Sequence, residues 1–166
     1  MNTENYILIG MPGAGKSTVG VVLAKVLGYE FVDSDLVIQK ATGKLLKDII
    51  AKEGVDGFLE IENHINAALD AHHCIIATGG SVIYGTEAMK HLKSIGTVIY
   101  LKLSYDDVTK RLGSLKDRGV ALHDGQTLKD LYDERTVLYE KYADITIDEA
   151  NLSIRDTVDQ ILGRIY

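Results

Sequence analysis

The apolar run Tyr6-Ile7-Leu8-Ile9 breaks into Gly10-Met11-Pro12-Gly13-Ala14-Gly15-Lys16-Ser17, and an amphipathic helical pattern starts at once. Strand, glycine-rich turn and helix in direct succession constrain the chain to a β-loop-α unit, the building block of a parallel sheet covered by helices. The turn matches G-x-x-x-x-G-K-[ST]. Consecutive backbone N–H groups in such a turn, with the positive end of a helix dipole behind them, form a cradle for a polyphosphate. Lys16 reaches the outer phosphates, and the Ser17 hydroxyl takes a place on Mg²⁺. Gly13, Ala14, Gly15, Lys16, Ser17 and Thr18 are therefore the candidate nucleotide contacts, with ATP and Mg²⁺ as the implied cofactors.

The remainder of the chain repeats this alternation. Strands are expected at 5–9, 29–32, 74–77, 97–102 and 145–147, and helices at 16–27, 86–94, 104–112, 128–142 and 153–165. Two or three helical segments fall between about 35 and 71. On the first helix, Val19, Val22, Leu23 and Val26 share a face. Ser104 with Asp107, and Thr127 with Asp130, read as capping boxes. Residues 113–126, with Gly113, Gly119 and Gly125 and little periodicity, read as a mobile loop. Short apolar strands alternating with helices predict an α/β fold of three layers, a parallel sheet with helices on both faces. The 166 residues, 46% hydrophobic and 25% charged, suit one domain over 1–166 with a substantial core.

Net charge is −6, and no stretch gathers Lys and Arg into a stripe, which argues against a nucleic-acid partner. No apolar run approaches membrane length and no signal peptide is evident, so no membrane partner is expected and a reducing cytoplasm is the natural location. Cys74 is the single cysteine, and its apolar neighbours make it a small core residue.

In an open parallel sheet, ligands bind beyond the carboxyl ends of the strands. Asp33-Ser34-Asp35 follows the second strand. One carboxylate suits the metal's water shell and the other suits an acceptor hydroxyl and its proton; capping of the next helix by Asp33 or Ser34 would explain one carboxylate but not two. Gly79-Gly80 follows the third strand, where glycines let backbone approach a ligand closely. On the helix 128–142, Arg135 shares a stripe with Leu128, Tyr132, Tyr139 and Tyr142. A guanidinium there faces the protein and needs an anion, either a structural carboxylate or a bound substrate. Arg118, in the 113–126 loop, reads either as a cation closing over transferring phosphate or as a solvated charge. Arg111, ending the helix 104–112, either stacks on adenine or complements the helix dipole.

Taken in order, the phosphate loop, Phe31-Val32-Asp33-Ser34-Asp35, Gly54-Val55-Asp56-Gly57-Phe58-Leu59-Glu60-Ile61-Glu62, Ala77-Thr78-Gly79-Gly80, Arg118, and Arg135 with Leu138-Tyr139 and Ala143-Asp144 resemble the shikimate kinase family over essentially the whole chain. The resemblance implies a P-loop kinase fold with a five-stranded parallel sheet in the order 2-3-1-4-5. It implies a monomer that transfers the γ-phosphoryl group of ATP to a ring hydroxyl of shikimate, in aromatic amino-acid biosynthesis. It implies that Lys16, Asp35 and Arg118 are catalytic and that Asp33 assists Ser17 with the metal. Helices in the 35–71 segment would bind the acceptor, with Gly79, Gly80 and Arg135 in its site and Arg135 on its carboxylate.

The chain departs from that family's pattern at three places. Leu59 stands where the pattern has an arginine that helps bind shikimate's carboxylate, Ser81 where it has a third glycine, and Arg118-Gly119-Val120-Ala121 where it has Arg-Pro-Leu-Leu. Helical spacing makes Phe58, Ile61, Ile65, Ala68 and Leu69 the apolar face and projects Leu59 elsewhere, beside Glu62, Asn63 and Asn66, as an acceptor-pocket candidate. Three readings follow: shikimate kinase, a related kinase for another small hydroxylated acid such as a sugar acid or hydroxy amino acid, or a nucleotide-binding regulatory module without phosphoryl transfer.

Overall fold

In the computed structural model, which describes residues 4–112 and 120–166, five parallel strands lie in the order β2-β3-β1-β4-β5. They are β1 (Asn5–Ile9), β2 (Glu30–Asp33), β3 (Cys74–Ala77), β4 (Gly96–Lys102) and β5 (Ile145–Asp148). The helices are α1 (Lys16–Leu27), α2 (Ser34–Thr42), α3 (Leu46–Ala67), α4 (Thr86–Ile95), α5 (Tyr105–Arg111), α6 (Leu128–Tyr142) and α7 (Ile154–Ile165), with a 3₁₀ turn at Val82–Tyr84. The architecture and the strand order are those expected.

The three inner strands are apolar on both faces because helices cover both, whereas edge strand β5 alternates buried Ile145 and Ile147 with exposed Thr146 and Asp148. Two buried polar side chains tie strand ends together. Asn5 Nδ2 donates to the carbonyls of Ala71 and Ile95, and its Oδ1 accepts from the Cys74 amide. Thr78 Oγ1 donates to Leu8 O at 2.8 Å, which fixes the turn after β3 beside the end of β1. Cys74 is a buried core residue, as its neighbours suggested.

Caps end the helices largely where side chains allow. Thr127 with Asp130 and Ser153 with Asp156 form full capping boxes. Ser104 accepts from the Asp107 amide. A second apolar cluster, Ile38, Ile49, Phe58 and Ala121, stands apart from the main core and joins α2 and α3 to the segment leading into α6. α3 is broken at Gly54, whose φ of 74° and ψ of 172° are not helical.

Two face assignments need correction. α1 buries Val19, Gly20, Leu23 and Ala24, leaving Val22 and Val26 exposed. Gly20 takes the inward place because the Phe31 ring lies where a side chain would begin. The second half of α3 buries Phe58, Glu62 and Asn66, with Ile61 and Ile65 only partly covered. That inward face looks onto a polar cavity, so hydropathy alone misplaces it.

No helix among the described residues is long and apolar enough to cross a membrane.

Candidate active site

A cavity of about 400 Å³ opens at the carboxyl ends of the strands. The phosphate loop supplies Pro12, Gly13, Gly15, Lys16, Ser17 and Thr18, the second and third strands lead to Asp35 and to Thr78 through Ser81, and α3 contributes Phe58 and Glu62. Leu46, Val120, Ala121 and Arg135 complete the lining. The sheet topology thus brings residues far apart in sequence to one cleft.

The loop is held by bonds to its own backbone. The Ala14 amide donates to Met11 O, and the helix begins with the Val19 amide on Gly15 O at 2.8 Å. Lys16 is 8% exposed, and its Nζ donates to the carbonyls of Gly10 and Met11 at 2.6 and 2.9 Å. Burial lowers the Lys16 ammonium to about 8, partly opposed by the Asp35 carboxylate. Ala14 is buried beneath the loop. Arg111 Nη1 donates to Gly13 O at 3.1 Å, which places the end of α5 against the loop.

Asp33 caps the next helix, one of the two alternatives that sequence left open, and also meets the phosphate loop. Its Oδ1 caps α2 by accepting from the Asp35 and Leu36 amides, and its Oδ2 accepts from Ser17 Oγ at 3.1 Å. A hydroxyl and a carboxylate side by side at the mouth of the loop are the hard oxygen donors that suit Mg²⁺. Asp35, by contrast, lines the cavity, and its Oδ1 is buried without a partner. Burial and the neighbouring Asp33 charge raise its carboxyl to about 6, against the opposing pull of Lys16.

Arg135 is 1% exposed and lies among the residues of the cleft. Its Nη2 donates to Ala121 O at 3.1 Å, its guanidinium stands 5.5 Å from the Tyr84 ring centre, and its Nε is buried without a partner. Among the described residues no carboxylate forms an ion pair with it. Tyr139, one helical turn on, donates to Gly80 O at 2.5 Å, so α6 holds the Gly79-Gly80 turn and the guanidinium together.

The glycines leave room for these groups. A methyl group at Gly80 would lie 2.9 Å from Arg135 Nη1, and one at Gly79 would lie 2.6 Å from Asp35 Oδ1 and 2.9 Å from Glu62 Oε2. Glu62 is the residue that the sequence reading assigned no role. It is 2% exposed, Ser81 Oγ donates to its Oε1 at 2.6 Å, and burial raises its carboxyl to about 7. Its spacing of four from Phe58 is the signal that could have placed it on the inward face.

Leu59 lies outside the cavity lining and packs with the second apolar cluster, one position from Phe58 and three from Glu62. Arg118 and the rest of residues 113–119, the first half of the expected loop, fall outside the described residues. Of that loop, Val120 and Ala121 are placed in the cleft wall.

A parallel sheet in this order, with a lysine-bearing phosphate loop, a hydroxyl–carboxylate pair at its mouth and a buried arginine across the same cavity, defines a small-molecule kinase of the P-loop class. A family model described as shikimate kinase matches residues 12–166. The chain belongs to the shikimate kinase family. It is 36% identical over 163 residues to a shikimate kinase of Persephonella marina, covering 98% of this chain and 99% of the relative. Among solved structures, shikimate kinase from Acinetobacter baumannii in complex with shikimate superposes with a TM-score of 0.88 at 34% identity, covering 98% of this chain and 93% of that one. Shikimate kinase from Aquifex aeolicus gives a TM-score of 0.82 at 29% identity, covering 97% and 95%.

Proposed function

We propose that the chain transfers the γ-phosphoryl group of ATP to a hydroxyl of shikimate, using the cleft as its active site. The observation that carries this reading is the buried Arg135 guanidinium, which has no carboxylate partner among the described residues and lines the same cavity as Lys16 and Asp35. A buried cation of that kind fits an acceptor's carboxylate, since leaving it unpaired is costly.

The amides of Gly13 through Thr18 and the Lys16 ammonium hold the phosphates, and Arg111 beside Gly13 suits the nucleotide's outer face. Ser17 and Asp33 would hold Mg²⁺, which when bound neutralises phosphate charge. Asp35 accepts the acceptor hydroxyl's proton as the oxygen–phosphorus bond forms and the bond to the β-phosphate's bridging oxygen breaks. Arg135 fixes the acceptor's carboxylate while Gly79 and Gly80 let the ring approach. Arg118 is assigned to the transferring phosphate on its family position alone. The same reading takes the enzyme as a cytoplasmic monomer.

Leu59 favours a second reading, in which the acceptor is a different small hydroxylated acid. A second guanidinium on a carboxylate contributes about 1.5–3 kcal/mol, and a leucine supplies none of it. One experiment separates these readings and the non-catalytic one: acceptor-dependent ADP release from Mg·ATP, measured with shikimate, gluconate and homoserine. Preferential turnover of shikimate is the expected result. In the same assay Asp35→Asn loses about a hundredfold or more in kcat with ATP affinity retained. Near-normal turnover by that variant removes Asp35 from its role.

A further inference from the structure

Phosphate, metal, carboxylate and hydroxyl all have residues assigned to them above, yet Glu62 has none. A carboxylate on α3, 2% exposed, is costly to keep unless it serves a ligand or a partner. It has one partner. Ser81 Oγ donates to Oε1 at 2.6 Å, and Ser81 is itself buried. The backbone on both sides of this bond is anchored. The Val82 amide donates to Gly79 O, the Tyr84 amide to Ser81 O, and Asn66 Nδ2 to the carbonyl of Glu62 at 2.9 Å.

With Oε1 pinned, Oε2 has one direction left. It is buried without a partner and stands over Gly79, 2.9 Å from where a methyl would sit. Asp35 Oδ1, also buried and unpartnered, stands 2.6 Å from the same point. Two unsatisfied acceptor oxygens thus flank one glycine in the wall of the cleft. A ligand group carrying two donors, such as a pair of neighbouring ring hydroxyls, satisfies both.

We infer that Ser81 is a positioning residue for the acceptor: its hydroxyl clamps Glu62 Oε1 so that Oε2, opposite Asp35 Oδ1, receives a second hydroxyl of the acceptor. The inference rests on the acceptor site proposed above. Besides Ser81, Glu62 is faced by Asp35 from the start of α2, Lys16 from the phosphate loop, and Arg135 and Tyr139 from α6. Asp35 and burial favour the protonated acid, while the Ser81 hydrogen bond and the two cations favour the carboxylate.

The test is a side-chain carboxyl ¹³C titration of Glu62 in the wild type and Ser81→Ala, with initial-rate kinetics on both. Removing one donor from an ionised acceptor is expected to raise the Glu62 midpoint by about one pH unit. It is expected to raise the acceptor's KM about tenfold with the KM for ATP unchanged. Ser81→Thr, which keeps the hydroxyl, retains the wild-type midpoint. An unmoved midpoint in Ser81→Ala overturns the inference, and so does an equal rise in both KM values, which marks a general structural role. The wild type provides a check that needs no variant to fold: saturating shikimate must shift the Glu62 carboxyl resonance, and a resonance unmoved while shikimate is turned over overturns the inference. If the wild type does not turn over shikimate, the acceptor reading falls by that assay, and the clamp is judged on the midpoint alone.

Discussion

A methyl group at residue 79 would occupy the point that Asp35 Oδ1 and Glu62 Oε2 flank, and Gly79 has no positive φ, so an alanine there is a purely steric probe. Gly79→Ala is expected to raise the acceptor's KM by about tenfold or more and to leave nucleotide affinity unchanged, read by initial rates and by a nucleotide titration. Loss of both affinities would place the glycine in the general scaffold instead. At this scale the site was legible wherever chemistry follows a strand end directly, as at Lys16, Ser17, Asp33, Asp35 and Gly79-Gly80. Arg135 was legible as a buried cation, because a guanidinium within a tyrosine stripe has no solvent to face. Whether its anion was a structural carboxylate or a ligand was not legible, since pairing is decided by elements far away in the chain. Glu62 carried only the weak signal of its four-residue spacing from Phe58. Among Glu60, Glu62 and Asn63 it reads as one more solvated charge, and only the packing of α3 over the β3 turn turns it inward.

The helices show the limits of periodicity. Segment 35–71 reads as two or three helices, and the chain makes two, the longer of them broken at Gly54. The backbone there has φ 74° and ψ 172°, a region essentially reserved for glycine, and an added Cβ would meet nothing within 4 Å. Gly54→Ala therefore carries a backbone cost alone, expected at about 1–3 kcal/mol. Urea unfolding measures it, and a loss below about half a kcal/mol would show that the break relaxes freely. The break matters because it separates Ile49 on one side from Phe58, Glu62 and Asn66 on the other, so each half of α3 presents its own inward face. Apolar periodicity finds a helix reliably but finds its inward face only when the neighbour is apolar. α1 meets the sheet through Gly20 and Ala24, and α3 meets a polar cleft, so both faces are rotated from where the hydropathy pattern puts them.

For the whole molecule, the buried ionisable groups make stability depend on pH in a definite direction. Burial raises the carboxyls of Asp35 to about 6 and of Glu62 and Glu149 to about 7. Between their unfolded values near 4 and these folded ones, the native state binds more protons than the unfolded chain, so stability falls as pH rises through that window. Exposed His72 and His123, raised by hydrogen bonds to Glu4 and Asp56, act in the same direction, their contribution being lost above their folded values. Lys16, lowered to about 8, acts oppositely between there and its unfolded value near 10.5, where stability rises with pH. The melting temperature without ligand is expected to fall between about pH 5 and pH 7, and Glu62→Gln is expected to flatten that slope. A wild-type melting temperature that rises across that window would mean these carboxyls are not buried as described. Sequence by itself determined the α/β architecture, the phosphate loop and most of the residues around it, because strand and helix periods and short motifs are local properties of the chain. Tertiary structure alone decided which face of α3 turns inward, that Arg135 has no structural carboxylate among the described residues, and that Ser81 and Glu62 meet. Those outcomes depend on burial and on contacts between distant segments, which no local pattern encodes.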